Sequence, residues 1–137
     1  NVVPKLWKEF NEAVSQIPNQ VAGGRGFGIC EACNDGNTIL KMNQDVLFTE
    51  VAAAEVDSFE GLPEQFVPKI LAGGKFAVFT HRGYTAGIVD TFDYIWGTLF
   101  MKTRERLRDG EDFEVYTELF LGNHHPESEI DIYIPIL

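Results

Sequence analysis

Phe113-Glu114-Val115-Tyr116 has the alternation of a β-strand, and it carries a carboxylate two residues from a phenol. Strand side chains alternate with period two, so Glu114 and Tyr116 share one face. Glu118 continues that face if the strand runs on. An acid held among apolar walls is costly unless something pairs with it. A positively charged ligand is the simplest partner, with Tyr116 orienting the carboxylate or touching the ligand. Burial raises the pKa of such an acid and a bound cation lowers it again.

The walls are supplied by aromatic residues at helical spacing. Val3, Leu6, Trp7, Phe10, Val14 and Ile17 form one stripe, and Pro4 suits a first helical turn. A helix is predicted over 4–17. Val89, Phe92, Ile95, Trp96, Leu99 and Phe100 form a second stripe, on a helix predicted over 88–102. Ile95 is expected to pack into the sheet. Trp96, Trp7, Tyr84, Phe92 and Phe27 are the candidate wall residues. Aromatic faces attract cations by about 0.5–2 kcal/mol, depending on solvation.

Strands are predicted over 25–33, 48–58, 66–71, 75–81, 113–121 and 129–136. In the last, Ile130, Ile132, Ile134 and Ile136 face one way while Asp131 and Tyr133 face the other. The run 103–112 reads as a charged loop. The order helix–strand–strand thus recurs. Two βαββ units, the first without its opening strand, join into one antiparallel sheet with both helices on a single face. The expected class is α+β, a single domain over 1–137 with pseudo-repeats about 1–60 and 64–137. The cleft between the helices is the expected ligand position.

The bulk properties narrow the function. With 137 residues the chain can bury a core of its own. A formal net charge of −10 opposes direct nucleic-acid binding and would attract cations. No apolar run reaches the length of a membrane span, and a cytoplasmic location is expected. The chain opens on Asn1, and a trimmed N-terminus is expected. Cys30 and Cys33 make one Cys-x-x-Cys, short of a four-ligand zinc site. Their odd spacing within a strand would send the sulfurs to opposite faces, so reduced, packed thiols are expected. His81, His124 and His125 show no metal-ligand pattern, and no metal or cofactor is expected. No Ser or Cys stands in a nucleophile turn.

Several segments together resemble a known family. Gly73-Gly74-Lys75-Phe76-Ala77-Val78-Phe79-Thr80-His81-Arg82-Gly83 is similar to a segment of GyrI-like small-molecule-binding domains. These are also the effector-binding domains of AraC-type and multidrug-responsive transcription regulators. Tyr94-Ile95-Trp96, Asp112-Phe113-Glu114-Val115-Tyr116 and Ser128-Glu129-Ile130-Asp131-Ile132-Tyr133-Ile134-Pro135-Ile136 follow in the family's order. Upstream, Pro4-Lys5-Leu6-Trp7-Lys8-Glu9-Phe10 and Ala54-Glu55-Val56 agree as well. The resemblance implies a pseudo-twofold domain that binds bulky, apolar, often cationic drug-like ligands between its helices. It also implies that Glu114 and Tyr116 are the family's glutamate and tyrosine.

The expected function is binding of an amphipathic aromatic cation, either as a stand-alone drug-binding module or as the effector module of a transcription regulator. Two other classes are open. One is hydrolysis of electrophilic small molecules, which some GyrI-like proteins are reported to perform, with Glu114 as general base. The other is a protein-interaction inhibitor module that presents an acidic surface. A homodimer and a DNA-binding partner protein are both open as assemblies.

Overall fold

The computed structural model describes residues 2–30, 50–99, 102 and 106–137. Cys33, the Asn34-Asp35-Gly36-Asn37 turn, Phe48 and Phe100 lie outside the described residues.

Helix α1 spans Val2–Ala13 and tightens into a 3-10 turn at Val14–Gln16. Strands β1 (Gly26–Cys30) and β2 (Glu50–Ala54) follow. Then come β3 (Phe76–Arg82), α2 (Ile88–Tyr94), β4 (Phe113–Tyr116) and β5 (Glu129–Pro135). A π-helical stretch, Ile95–Leu99, continues α2. The five strands form one sheet in the order β2-β1-β4-β5-β3, with every neighbour antiparallel. The fold is α+β. In each half, the strand that follows the helix is inner and the next strand lies outside it. The halves meet where β1 pairs with β4.

Both helices lie on one face. Ile132 and Ile134 of β5 are fully buried and pack with Ile95, beside Phe92 and Trp96. Trp7 of α1 reaches the ring of Tyr116 on β4, at 5.1 Å between centroids. Ile132 sits opposite Glu114 in register, so α2 and α1 cover the Glu114 side of the sheet. The expected alternation of β5 is observed, with Ile130, Ile132, Ile134 and Ile136 all buried and Asp131 and Tyr133 turned away. On the other face Ile29, Phe113 and Val115 form a second core, with Phe27, Leu71, Phe76 and Tyr133 packed against it.

Several expectations are corrected. Residues 66–71 form no strand but an irregular strap, with Val67 and Ile70 exposed at 85% and 81%. Pro63 and Pro68 supply no N–H for a ladder, and the proline-rich run turns at Pro63, whose carbonyl accepts from Phe66 N at 3.1 Å. Leu71 alone reaches the core. Strand β4 ends at Tyr116, not at residue 121, because Thr117 turns the chain. Its Oγ1 accepts from Leu119 N at 3.2 Å and its carbonyl accepts from Phe120 N at 3.0 Å. Arg108 is no solvated side chain. It lies over the Phe76 ring at 5.1 Å and donates from Nε to the Ile136 carbonyl at 3.1 Å. Cys30 is disulfide-bonded rather than reduced. It is the last residue of β1, and strand alternation governs only side chains inside a strand.

His81 links β3 to α2. Its Nε2 lies 2.9 Å from the Tyr84 carbonyl and its Nδ1 lies 2.6 Å from Thr91 Oγ1. A carbonyl can only accept, so Nε2 donates to it, while Nδ1 pairs with the Thr91 hydroxyl. Both ring nitrogens of the buried imidazole are therefore bonded. His81→Leu strands both partners, and a loss of about 1–3 kcal/mol is expected from leaving buried polar groups unpaired. Urea melts should show it as a lower midpoint at unchanged slope.

Candidate functional site

The pairing of β1 with β4 places Gly28 opposite Glu114, and the pairing of β1 with β2 places Ala52 on Gly28's other side. The next row holds Ala54, Gly26 and Tyr116. Four small residues thus share the face of Glu114 and Tyr116. They put nothing larger than a methyl group above the sheet there, and α1 leans Trp7 over them. A Cβ on Gly28 would lie 3.1 Å from Glu50 Oε1, 3.4 Å from Glu114 Oε2 and 3.5 Å from Trp7 Cζ2. Two carboxylates and an indole therefore converge on the volume that glycine leaves open.

Tyr116 donates its hydroxyl proton to Glu114 Oε2 at 2.6 Å. That is the short distance of a charge-assisted bond. The Tyr116 ring is flanked by Trp7 and by Phe120, at 5.0 Å, and Trp7 in turn meets Phe10 at 5.9 Å. A row of edge-on rings borders the acid.

The electrostatics are those of crowded, buried acids. Burial pushes the Glu114 carboxyl up to about 7. The Tyr116 hydrogen bond opposes this shift, and Glu50 and Asp112 add to it. Burial raises Asp112 to about 6 against its own backbone hydrogen bond, with a smaller push from Glu111. Burial also raises Glu50. Tyr116 is raised by burial and by Glu114, and stays a proton donor. Among the described residues no lysine or arginine neutralises Glu50, Asp112 or Glu114. Nor do those residues contain a group of three or more His, Cys, Asp or Glu that could hold a metal ion.

The other sequence-predicted residues scatter. Trp96 and Phe92 pack on the same face against Ile95, Ile132 and Ile134. Tyr84 is half-exposed, and its ring meets His124 at 6.2 Å. Glu118 is exposed in the turn after β4 and shares no strand face with Glu114. Phe27 points to the opposite face, against Phe113 at 5.8 Å. There it lines an open hollow of about 310 Å³ with Phe76, Phe113 and Tyr133. Phe113 and Tyr133 stack at 5.1 Å and 14°, and Phe76 meets both edge-on. The charges at the rim, Arg25 and Glu55, already pair at 3.2 Å. The hollow does not include Glu114.

Sequence reasoning missed Glu50, Gly28, Asp112 and Phe120. The usable signal was Gly26, Gly28, Ala52 and Ala54, all small and all at alternate positions. Such a pattern marks space above a sheet, and Glu50 opens the same alternation.

The raised acids set a pH dependence. Each holds its proton more tightly in the folded chain than in the unfolded one. From about pH 4.5 up to about 7 the folded state binds more protons, so this contribution to stability falls as pH rises. Glu114→Gln keeps an acceptor for Tyr116 and removes the acid. At pH 8 it should exceed the wild type in stability by on the order of 1–3 kcal/mol. Below pH 4.5 the two should converge. Urea melts of both chains from pH 4 to 8 check this, and a less stable variant at pH 8 would contradict it.

No helix among the described residues is long and apolar enough to cross a membrane. The model of a family described as integron-associated effector binding protein matches residues 1–136. The chain is also 30% identical over 136 residues to the transcriptional regulator BrlR of Pseudomonas aeruginosa. The match covers 99% of this chain and 47% of that regulator, so the chain spans about half the length of its relative. It belongs to the integron-associated effector-binding protein family, a GyrI-like group, and is by that membership an effector-binding module.

Proposed function

We propose that the chain captures an amphipathic organic cation, with the aromatic body against Trp7 and Tyr116 and the positive centre on Glu114. One observation carries this reading. Glu114 is a buried carboxylate crowded by two further acids, with no neutralising side chain among the described residues. A cation would supply what the fold omits. Trp96 and Phe92, packed on α2 above Ile132, extend the wall on the other side. Two aromatic flanks and a charge fix few features of a ligand, so specificity is broad. The output is sequestration of the compound, or its sensing on behalf of a transcription regulator in the cytoplasm. Net charge −10 assigns any DNA contact to a partner.

Glu114→Gln should weaken a rhodamine-type cation by at least about tenfold, the scale of a charge-assisted contact, and spare a neutral analogue of the same rings. In the wild type, affinity for the cation should rise from pH 5.5 to 8, because Glu114 must lose its proton to act as counter-ion. Fluorescence titrations read both. Equal affinity of wild type and variant for the cation would end the counter-ion role.

A second reading has one observation in its favour. A carboxyl raised to about 7 beside a phenol suits a general base acting on water. Hydrolysis of an electrophilic ligand by the wild type, lost in Glu114→Gln, separates turnover from stable capture.

A further inference from the structure

Glu50 enters the site from the edge of the β1–β2 hairpin, far from Glu114 in sequence. Its Oε1 lies 3.1 Å, and Glu114 Oε2 lies 3.4 Å, from the one point a Gly28 Cβ would occupy. The two oxygens are therefore no more than 6.5 Å apart, the sum of those distances. A third acid stands behind them. Cys30 N donates to the Asp112 carbonyl at 3.1 Å, which carries the β1–β4 ladder one pair past Ile29 and Phe113. The charge of Asp112 reaches Glu114, so the two acids stand near each other. Cys30 also pairs with Glu50, so Glu50, Cys30 and Asp112 form one row beside the row of Ala52, Gly28 and Glu114.

Asp112 is only 4% exposed, and its Oδ1 is buried without a hydrogen-bond partner among the described residues. Its charge acts on Glu114. A buried oxygen left unsatisfied beside two other acids marks a place that awaits positive charge. A single organic cation neutralises one carboxylate and leaves the other to keep its proton or stand uncompensated.

We propose that Glu50 is a second anionic contact of the Glu114 site, and that the site is built for an organic dication: two cationic centres on a short linker, with an aromatic body against the Trp7 and Tyr116 rings. This rests on the cation reading of Glu114 and narrows its ligand class. One centre sits on Glu114 and the other on Glu50, while Asp112 adds negative field from behind. The indole Cζ2 lies 3.5 Å from the point a Gly28 Cβ would occupy and so borders both carboxylates, where its ring can flank a cation.

Ethidium and propidium share a phenanthridinium body, and propidium carries a second quaternary ammonium on a propyl linker. Their dissociation constants are measured by fluorescence at pH 8 and fixed ionic strength for wild type, Glu50→Gln and Glu114→Gln. The wild type should bind propidium at least about tenfold more tightly, the scale of one charge-assisted contact. Glu50→Gln should collapse that ratio to about threefold or less, whereas Glu114→Gln should weaken both dyes. The wild-type ratio should also shrink from pH 8 to 5.5 as the acids take up protons, a readout that needs no variant. A ratio near one in the wild type, or one that survives Glu50→Gln, overturns the dication proposal while Glu114-dependent ethidium binding leaves the cation reading standing. If neither dye binds, or if Glu114→Gln leaves ethidium untouched, the cation reading falls and the dication proposal falls with it.

Discussion

The register of β1 on β4 is the constraint on which the rest depends. It sets Gly28 opposite Glu114. Antiparallel partners stand close enough for their side chains to touch, so any larger residue at Gly28 would fill the space the two carboxylates share. A slip of one residue would turn Glu114 and Tyr116 to the other face and bring Phe113 and Val115 under the helices. The two cores oppose such a slip. Phe113 and Val115 are buried on one side with Ile29, and Ile132 and Ile134 on the other with Ile95. Apolar burial on both faces holds an acid where its own solvation would not take it.

That arrangement divides the molecule by task. The β5–β3 half is densely packed, with isoleucines at 0% exposure and a doubly bonded His81 tying β3 to α2. The β1–β2 hairpin presents glycine and alanine to the same face. The first half carries the fully buried isoleucines, and the second carries small residues on the face of Glu114. Small residues contribute little burial, so the hairpin gains its place from pairing with β4 and from Phe27, Ile29 and Val51 on the far face.

The carboxylates are the cost of the site. Burial raises the pKa of Glu50, Asp112 and Glu114 together, and each charge discourages the next. Tyr116 offsets part of this by its hydrogen bond to Glu114. Structural ion pairs in this protein look different. Arg25 with Glu55 and Lys69 with Glu111 are closed pairs. Glu50, Asp112 and Glu114 have no such partner among the described residues.

Local periodicity was enough to read most of the fold. The stripes of Leu6, Trp7 and Phe10 and of Phe92, Ile95 and Leu99 describe two helices, and Ile130 to Ile136 describe a strand with one buried face. These patterns are legible because helix and strand each repeat over a few residues. They failed where the chain turns on single residues. Pro63 and Pro68 undo an apolar run that reads as a strand, and Thr117 ends β4 before Glu118 can share its face. The Glu114–Tyr116 pair was also legible, being two residues apart on one strand. Its surroundings were not. Glu50 and Gly28 reach Glu114 across strand pairings that link distant parts of the chain, and Phe27 takes the opposite face by one step of alternation. Sequence alone determined which residues could share a face. Tertiary structure decided which faces meet, because strand register is set by burial summed over the whole sheet and not by any local run.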